Sequence, residues 1–84
     1  MFLALDIGNT NITIGVFDGD QIKATWRLNT LPHRLLDEYG LLIRSLLPMK
    51  GVASEDVTEA ALCSVVPPLT LAFEEMCRSY LNVE

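Results

Sequence analysis

Leu3 to Phe17 reads L-A-L-D-I-G-N-T-N-I-T-I-G-V-F, two short apolar runs joined by the polar loop Gly8-Asn9-Thr10-Asn11, with one carboxylate, Asp6, near the end of the first run. The pattern predicts strand, loop, strand. Asp6 shares a strand face with Phe2 and Ala4, so it carries a charge where its neighbours read as core, and such a charge requires a partner, a metal or water. The loop offers what an anion needs: Gly8 permits close backbone approach, and consecutive amides with the Thr10 hydroxyl can aim donors at one spot. A carboxylate beside a donor-rich turn suits a phosphate accompanied by Mg2+. The same residues also fit a plain hairpin with a polar loop, in which Asp6 bonds the turn as Asx residues commonly do. The physics of the stretch leaves both readings open.

Outward from this stretch, Asp18-Gly19-Asp20 carries the Asp-Gly signal of a tight hairpin. From Gln21 to Leu28 the residues alternate, with Ile22, Ala24, Trp26 and Leu28 on one face and Gln21, Lys23, Thr25 and Arg27 on the other. Only one face is apolar, as in an antiparallel strand near a sheet edge, and Trp26 belongs to that face as core. Asn29-Thr30-Leu31-Pro32 breaks the pattern, and from about His33 to Leu47 the apolar residues Leu35, Leu36, Tyr39, Leu42, Ile43, Leu46 and Leu47 follow helical spacing. Pro48 is expected to stop that helix. His33 and Asp37 stand four apart, as metal ligands on a helix can, but the sequence offers no third ligand and the pair reads as an exposed helix start. Asp37-Glu38 suits the positive end of the helix dipole.

Ser54-Glu55-Asp56 reads as a cap leading into a short helical turn. Val57 to Val66, with A-A-L-C-S-V-V inside it, lacks alternation and predicts a strand buried on both faces, reached by a parallel crossover from the preceding helix. Pro67-Pro68 ends that strand and can open the next helix. Leu69, Ala72, Phe73, Met76, Cys77 and Tyr80 recur at helical spacing, and Asn82 can cap the end. The expected order is β-β-β-α-β-α, an α/β arrangement with a mixed sheet.

With 84 residues, the chain holds one domain or less and can bury only a small core. Its hydrophobic content of 50% is high for that length and implies surface to be covered by something else, with the stripe Leu69, Phe73, Met76 and Tyr80 as the expected contact. A net charge of −5 with only 6 scattered basic residues argues against nucleic acid as the main partner. No run approaches the roughly 20 apolar residues of a membrane span, and the N-terminus lacks the marks of a signal peptide. A cytoplasmic protein without membrane association is the expectation. Cys63 and Cys77 have no CxxC pairing or ligand cluster around them and read as reduced, buried thiols.

Hydrophobic-Asp-hydrophobic-Gly-x-Thr-x at the first hairpin resembles the first phosphate motif of the superfamily that holds acetate and sugar kinases, heat-shock ATPases and actin. With Asn at positions 9 and 11, D-I-G-N-T-N resembles type III pantothenate kinase in particular. Phe17-Asp18-Gly19-Asp20 followed by Trp26-Arg27, then Asp37-Glu38-Tyr39-Gly40, then Ser64-Val65-Val66-Pro67-Pro68-Leu69 are similar to segments found in that order in the same family. The resemblance covers essentially all 84 residues. One departure lies between Leu31 and Leu36, where the family has a more polar stretch with a Thr ahead of D-E-Y.

The resemblance implies a ribonuclease-H-like half-domain, residues 1–84 being the N-terminal part of the first domain, with the remainder of that domain and a second one expected beyond Glu84. It implies transfer of the ATP γ-phosphoryl group to pantothenate, the first step toward coenzyme A. Asp6 would hold Mg2+, through water; Gly8, Asn9, Thr10 and Asn11 would cradle phosphate oxygens; and Ile7, Ile12 and Thr13 would frame the loop through their backbone. A monovalent cation, K+ or NH4+, and a homodimer are further implications. The general base, the pantothenate contacts and the monovalent-cation ligands would also lie past Glu84. Two other readings stand beside this one: a regulatory accessory protein, since family members have also been labelled Bvg accessory factors, and a half-domain without catalysis of its own.

Overall fold

Among the described residues four strands and two α-helices form in the expected order: β1 (Phe2–Ile7), β2 (Asn11–Asp18), β3 (Gln21–Asn29), α1 (Leu36–Leu46), β4 (Glu59–Ser64) and α2 (Pro67–Leu81). The computed structural model describes residues 1–31 and 34–81. The break at Pro32, the helix start and possible ligand at His33, the cap at Asn82 and the terminal Val83-Glu84 lie outside the described residues. The sheet runs β3-β2-β1-β4, antiparallel between β1 and β2 and between β2 and β3, and parallel between β1 and β4. This is the mixed α/β sheet the sequence predicts. A meander of three strands is followed by a crossover through α1 that adds β4 on the far side of β1, the connection a parallel pair requires.

Both helices pack on one face of the sheet. Leu3, Leu5 and Ile7 of β1 and Ile12, Ile14 and Val16 of β2 form a single core with Tyr39 and Ile43 of α1 and Leu69, Phe73, Met76 and Leu81 of α2. Each such side chain contributes about 1.5–3 kcal/mol on burial. Trp26 and Leu28 flank this core from β3, as their alternation predicts. Two polar devices fix α1 in place. Glu38 accepts the Leu35 N–H at 2.9 Å and so closes the helix start, and the buried Tyr39 hydroxyl both accepts from Leu31 N–H and donates to Leu31 O, each at 3.0 Å.

The α1–α2 contact depends on Gly40. A Cβ there would lie 2.7 Å from the Tyr80 ring, so only glycine lets the ring lie flat on α1. Tyr80 also donates its hydroxyl to the Asp37 carboxylate, and that bond is the main reason its phenol is pushed above the ordinary range. Asp37 thus ties the two helices together besides favouring the α1 dipole.

Several expectations need correction, and each correction follows from which sheet face the helices cover. Asp6 does lie with Phe2 and Ala4, but that face carries no helix; Leu3, Leu5 and Ile7 make the core and Asp6 is exposed. Both faces of β1 are apolar in sequence, so alternation alone could not choose between them. Ile22 is 61% exposed instead of core. A bulge explains it: Val16 opposes Ala24 while Phe17 opposes Ile22, so Lys23 is an extra residue and Ile22 passes to the open face beside Phe17. Leu35, placed in the helical stripe, precedes α1 and is 66% exposed.

At the other end of α1, Pro48 ends the regular helix, yet Leu47–Lys50 continue as a tighter 3-10 turn until Gly51, at φ 75°, closes it. Strand β4 is shorter than Val57–Val66 and alternates between exposed and half-buried residues, because it is the sheet edge and only one face meets α2. The stripe Leu69, Phe73, Met76 and Tyr80 is consumed inside the chain, against α1 and the sheet. The apolar residues left outside include Leu41 and Leu71 on the helices and Val65 after β4.

Cys77 is buried as expected, and burial pushes its thiol up, whereas Cys63 on β4 is exposed. A thiol reagent such as DTNB is therefore expected to titrate Cys63 quickly in the native chain and Cys77 only after unfolding. Counting released chromophore before and after denaturant checks this; equal reactivity of both thiols in the native state would contradict the placement of β4.

Candidate functional site

The Gly8-Asn9-Thr10-Asn11 loop sits where β1 ends and β2 begins, at the sheet end where the parallel strands β1 and β4 both terminate. In open α/β sheets, ligands collect outside the carboxyl ends of the strands. The loop is tightly built. Gly8 N–H donates to Asn11 O at 2.9 Å, and a Cβ on Gly8 would stand only 3.1 Å from that same oxygen. Thr30, just past β3, reaches across with two bonds: its N–H donates to Thr10 O at 2.9 Å and its hydroxyl to Gly8 O at 2.7 Å. The carbonyls of Gly8, Thr10 and Asn11 are thereby drawn into the fold. The amides of Asn9 and Thr10 enter none of these bonds, and both residues are exposed. With three of its carbonyls bonded within the fold and two of its amides outside those bonds, the loop has donors that an anion could use.

Strand register sets the side chains around it. Asp6 pairs with Thr13 on β2 and with Cys63 on β4, and Thr13 pairs with Arg27 on β3, so Arg27, Thr13, Asp6 and Cys63 form one row across the open face. All four are exposed. Beneath that row lies a shallow depression bordered by Asp6 and Thr13 and floored by the small residues Ala4, Gly15 and Ala61. Asn11 lies on the same face, and its Oδ1 accepts from Arg27 Nη2 at 3.2 Å. Ile12 is fully buried in the core, as is Ile7, which also accepts the Val65 N–H through its carbonyl at 3.0 Å. Those two residues hold the loop from below, one on each strand.

Every residue singled out from Asp6 to Thr13 is thus gathered at one end of the first hairpin, with Asp6, Asn9, Thr10 and Thr13 exposed. Sequence reasoning missed Thr30, read only as part of a pattern break, and Arg27, read as one of the solvent-facing residues of β3. A meander brings the end of β3 beside the start of β2, so a polar residue just after β3 was a candidate to touch the loop.

Among the described residues no group of three or more His, Cys, Asp or Glu side chains gathers as a metal cage. One accessible carboxylate beside a donor-rich loop fits Mg2+ nonetheless, because that ion keeps several waters and is commonly held by one or two carboxylates together with substrate phosphates.

A meander hairpin that presents an acidic residue and a donor loop, backed by a crossover helix, defines an α/β half-domain of the sugar-kinase-like type. Residues 2–84 match the family model described as type III pantothenate kinase. Among curated proteins, the chain is 48% identical over 83 residues to the type III pantothenate kinase of Agathobacter rectalis, covering 99% of this chain and 32% of that protein. It is 45% identical over 84 residues to that of Roseiflexus sp., covering 100% of this chain and 33% of the relative. The type III pantothenate kinase of Dehalococcoides mccartyi is 45% identical over 80 residues, with 95% and 31% covered. The chain belongs to the type III pantothenate kinase family, and it spans about a third of the length of these relatives.

Proposed function

We propose that this chain is the phosphate- and Mg2+-binding part of an enzyme that phosphorylates pantothenate with ATP, at the entry to coenzyme A biosynthesis. The observation that carries the reading is the exposed Asp6 beside a loop whose Gly8, Thr10 and Asn11 carbonyls are internally bonded, in a chain similar throughout to type III pantothenate kinases. When bound, Mg2+ neutralises charge on the phosphates of ATP. Asp6 would hold the ion, and the amides of Asn9 and Thr10, the Thr10 hydroxyl and the Asn11 side chain would donate to phosphate oxygens. Gly8 allows the backbone to approach, and Ile7, Ile12 and Thr13 keep the loop in position.

Phosphoryl transfer further requires a group to take the substrate hydroxyl proton and a pocket to hold that hydroxyl in line. Among the described residues, Asp6 is the single acid near the loop. Asp37 and Glu38 serve the start of α1, Glu59 lies at the opposite end of the sheet, and Glu74 and Glu75 are exposed on α2. We place the base, the pantothenate contacts and the K+ or NH4+ ligands in further sequence, as the resemblance to the longer type III pantothenate kinases implies. Assembly as a homodimer in the cytoplasm completes the proposal. The exposed Leu41 and Leu71 on the two helices support association, and none of the described helices is long and apolar enough to cross a membrane.

A product assay with labelled ATP tests the reading. A polypeptide of full family length carrying these residues is expected to form phosphopantothenate only with Mg2+ present, and the 84-residue chain alone to form none. Pantothenate-dependent turnover by the short chain would mean that a base has been overlooked in it.

A further inference from the structure

Arg27 is the basic side chain that bonds the loop, out of 6 Lys and Arg residues in the chain. Lys23 sits at the bulge near the far end of β3, Arg34 lies over the Tyr39 ring at 5.3 Å, and Arg44, Lys50 and Arg78 belong to the helical layer. Register puts Arg27 and Asp6 on the same face with Thr13 between them, two strand spacings or about 10 Å apart. The row therefore runs from a carboxylate through a hydroxyl to a guanidinium.

The Arg27–Asn11 bond also settles which way the Asn11 amide faces. A guanidinium has only donors, so the atom it meets must be the amide oxygen, and the Asn11 amide keeps its two N–H donors for another acceptor. Arg27 has five donors and commits one of its nitrogens here, which leaves a planar fork of the kind that matches phosphoryl oxygens.

We infer that Arg27 is a binding residue of the nucleotide site: it contacts a phosphate oxygen at the β3 side of the loop while holding Asn11 with its amide donors facing the same anion. This rests on the loop being an ATP-phosphate site, and it adds a division of labour. The metal-bound side of the phosphate chain lies at Asp6 on β1, and the side that meets guanidinium lies at β3.

The test is an isotope-labelled NMR titration with MgATP of a polypeptide of full family length that carries this segment, following the backbone amides of Asn9, Thr10 and Asn11 and the Asn11 side-chain amide. In the wild type all of these signals are expected to move together. Arg27→Met is expected to weaken binding about tenfold or more, the scale of a charge-assisted hydrogen bond, and Arg27→Lys to restore part of the loss because it keeps the charge without the fork. Unchanged affinity in Arg27→Met, with the loop amides still responding, would overturn the role of Arg27 and leave the loop reading standing. Absence of any response in the wild type would overturn both. A loss that Arg27→Lys does not relieve, or one accompanied by shifts throughout β2 and β3 before ligand is added, would make Arg27 a structural support and overturn the inference.

Discussion

Asp6→Asn, in a polypeptide of full family length that carries this segment, is expected to lose on the order of a hundredfold or more in kcat/KM for pantothenate phosphorylation, the scale seen when one electrostatic element of a preorganised site is removed. The substitution keeps the size of the side chain and its capacity to accept a hydrogen bond. It removes the charge that favours the ion. Asp6 is exposed and contributes nothing to the core, so the fold should be unaffected, with a stability change within about 0.5 kcal/mol, the usual range for such surface positions. Raising Mg2+ should recover part of the rate if the loss is one of metal affinity. Paired thermal melts and initial rates across a Mg2+ series check both halves of the expectation. An unaffected rate would return the opening stretch to a plain hairpin with a polar loop.

The second large effect lies in the core. Phe73 is fully buried, with its ring centroid 4.8 Å from that of Tyr39 in a tilted arrangement, and it joins α2 to α1 and to the sheet at once. Phe73→Ala should cost about 3–5 kcal/mol, the sum of lost burial and the cavity left behind. A chain of this size has only some 4–13 kcal/mol of stability in total. The variant is expected to be largely unfolded, or to melt more than about 10 °C below the wild type. Leu71→Ala, two residues away on the same helix but 73% exposed, is the control and should shift the melt little. Comparable losses in both variants, measured by circular dichroism, would mean that α2 buries a different face.

The helices explain why most of the fold could be read in advance. Their apolar stripes are long and periodic, the Pro67-Pro68 break marks the start of α2, and the Asp18-Gly19 turn marks the β2–β3 hairpin, Gly19 standing at φ 62° where a side chain would be strained. Strand faces were less legible. In β1 both Phe2-Ala4 and Leu3-Leu5-Ile7 look like core, and the choice is made by the helices that arrive later in the sequence. The bulge at Lys23 left no signal of its own, yet it reverses the face of Ile22. For β4, the uninterrupted apolar run stood for two covered faces, while in this chain the strand is an edge and Cys63 lies in the open.

The site divided in the same way. Its string of residues was legible because Asp, Gly, Asn and Thr at close spacing have few reasons to occur together at a strand end. The residues that hold the string in shape are Arg27, in a strand whose alternation is explained without it, and Thr30, in the break just past that strand, so nothing local distinguished them.

Thr30 stands 22 residues from Gly8 and 20 from Thr10, yet its two bonds fix the carbonyls of both. The loop is therefore not a local object. Its turn can form within the first hairpin, but its final shape arises only when β3 has joined β2, so a hexapeptide string moved to another hairpin would carry the letters of the motif without its geometry. Under the proposed function, what is inherited is the whole meander, and the segment that looks most like a self-contained motif is the one most dependent on sequence far downstream of it.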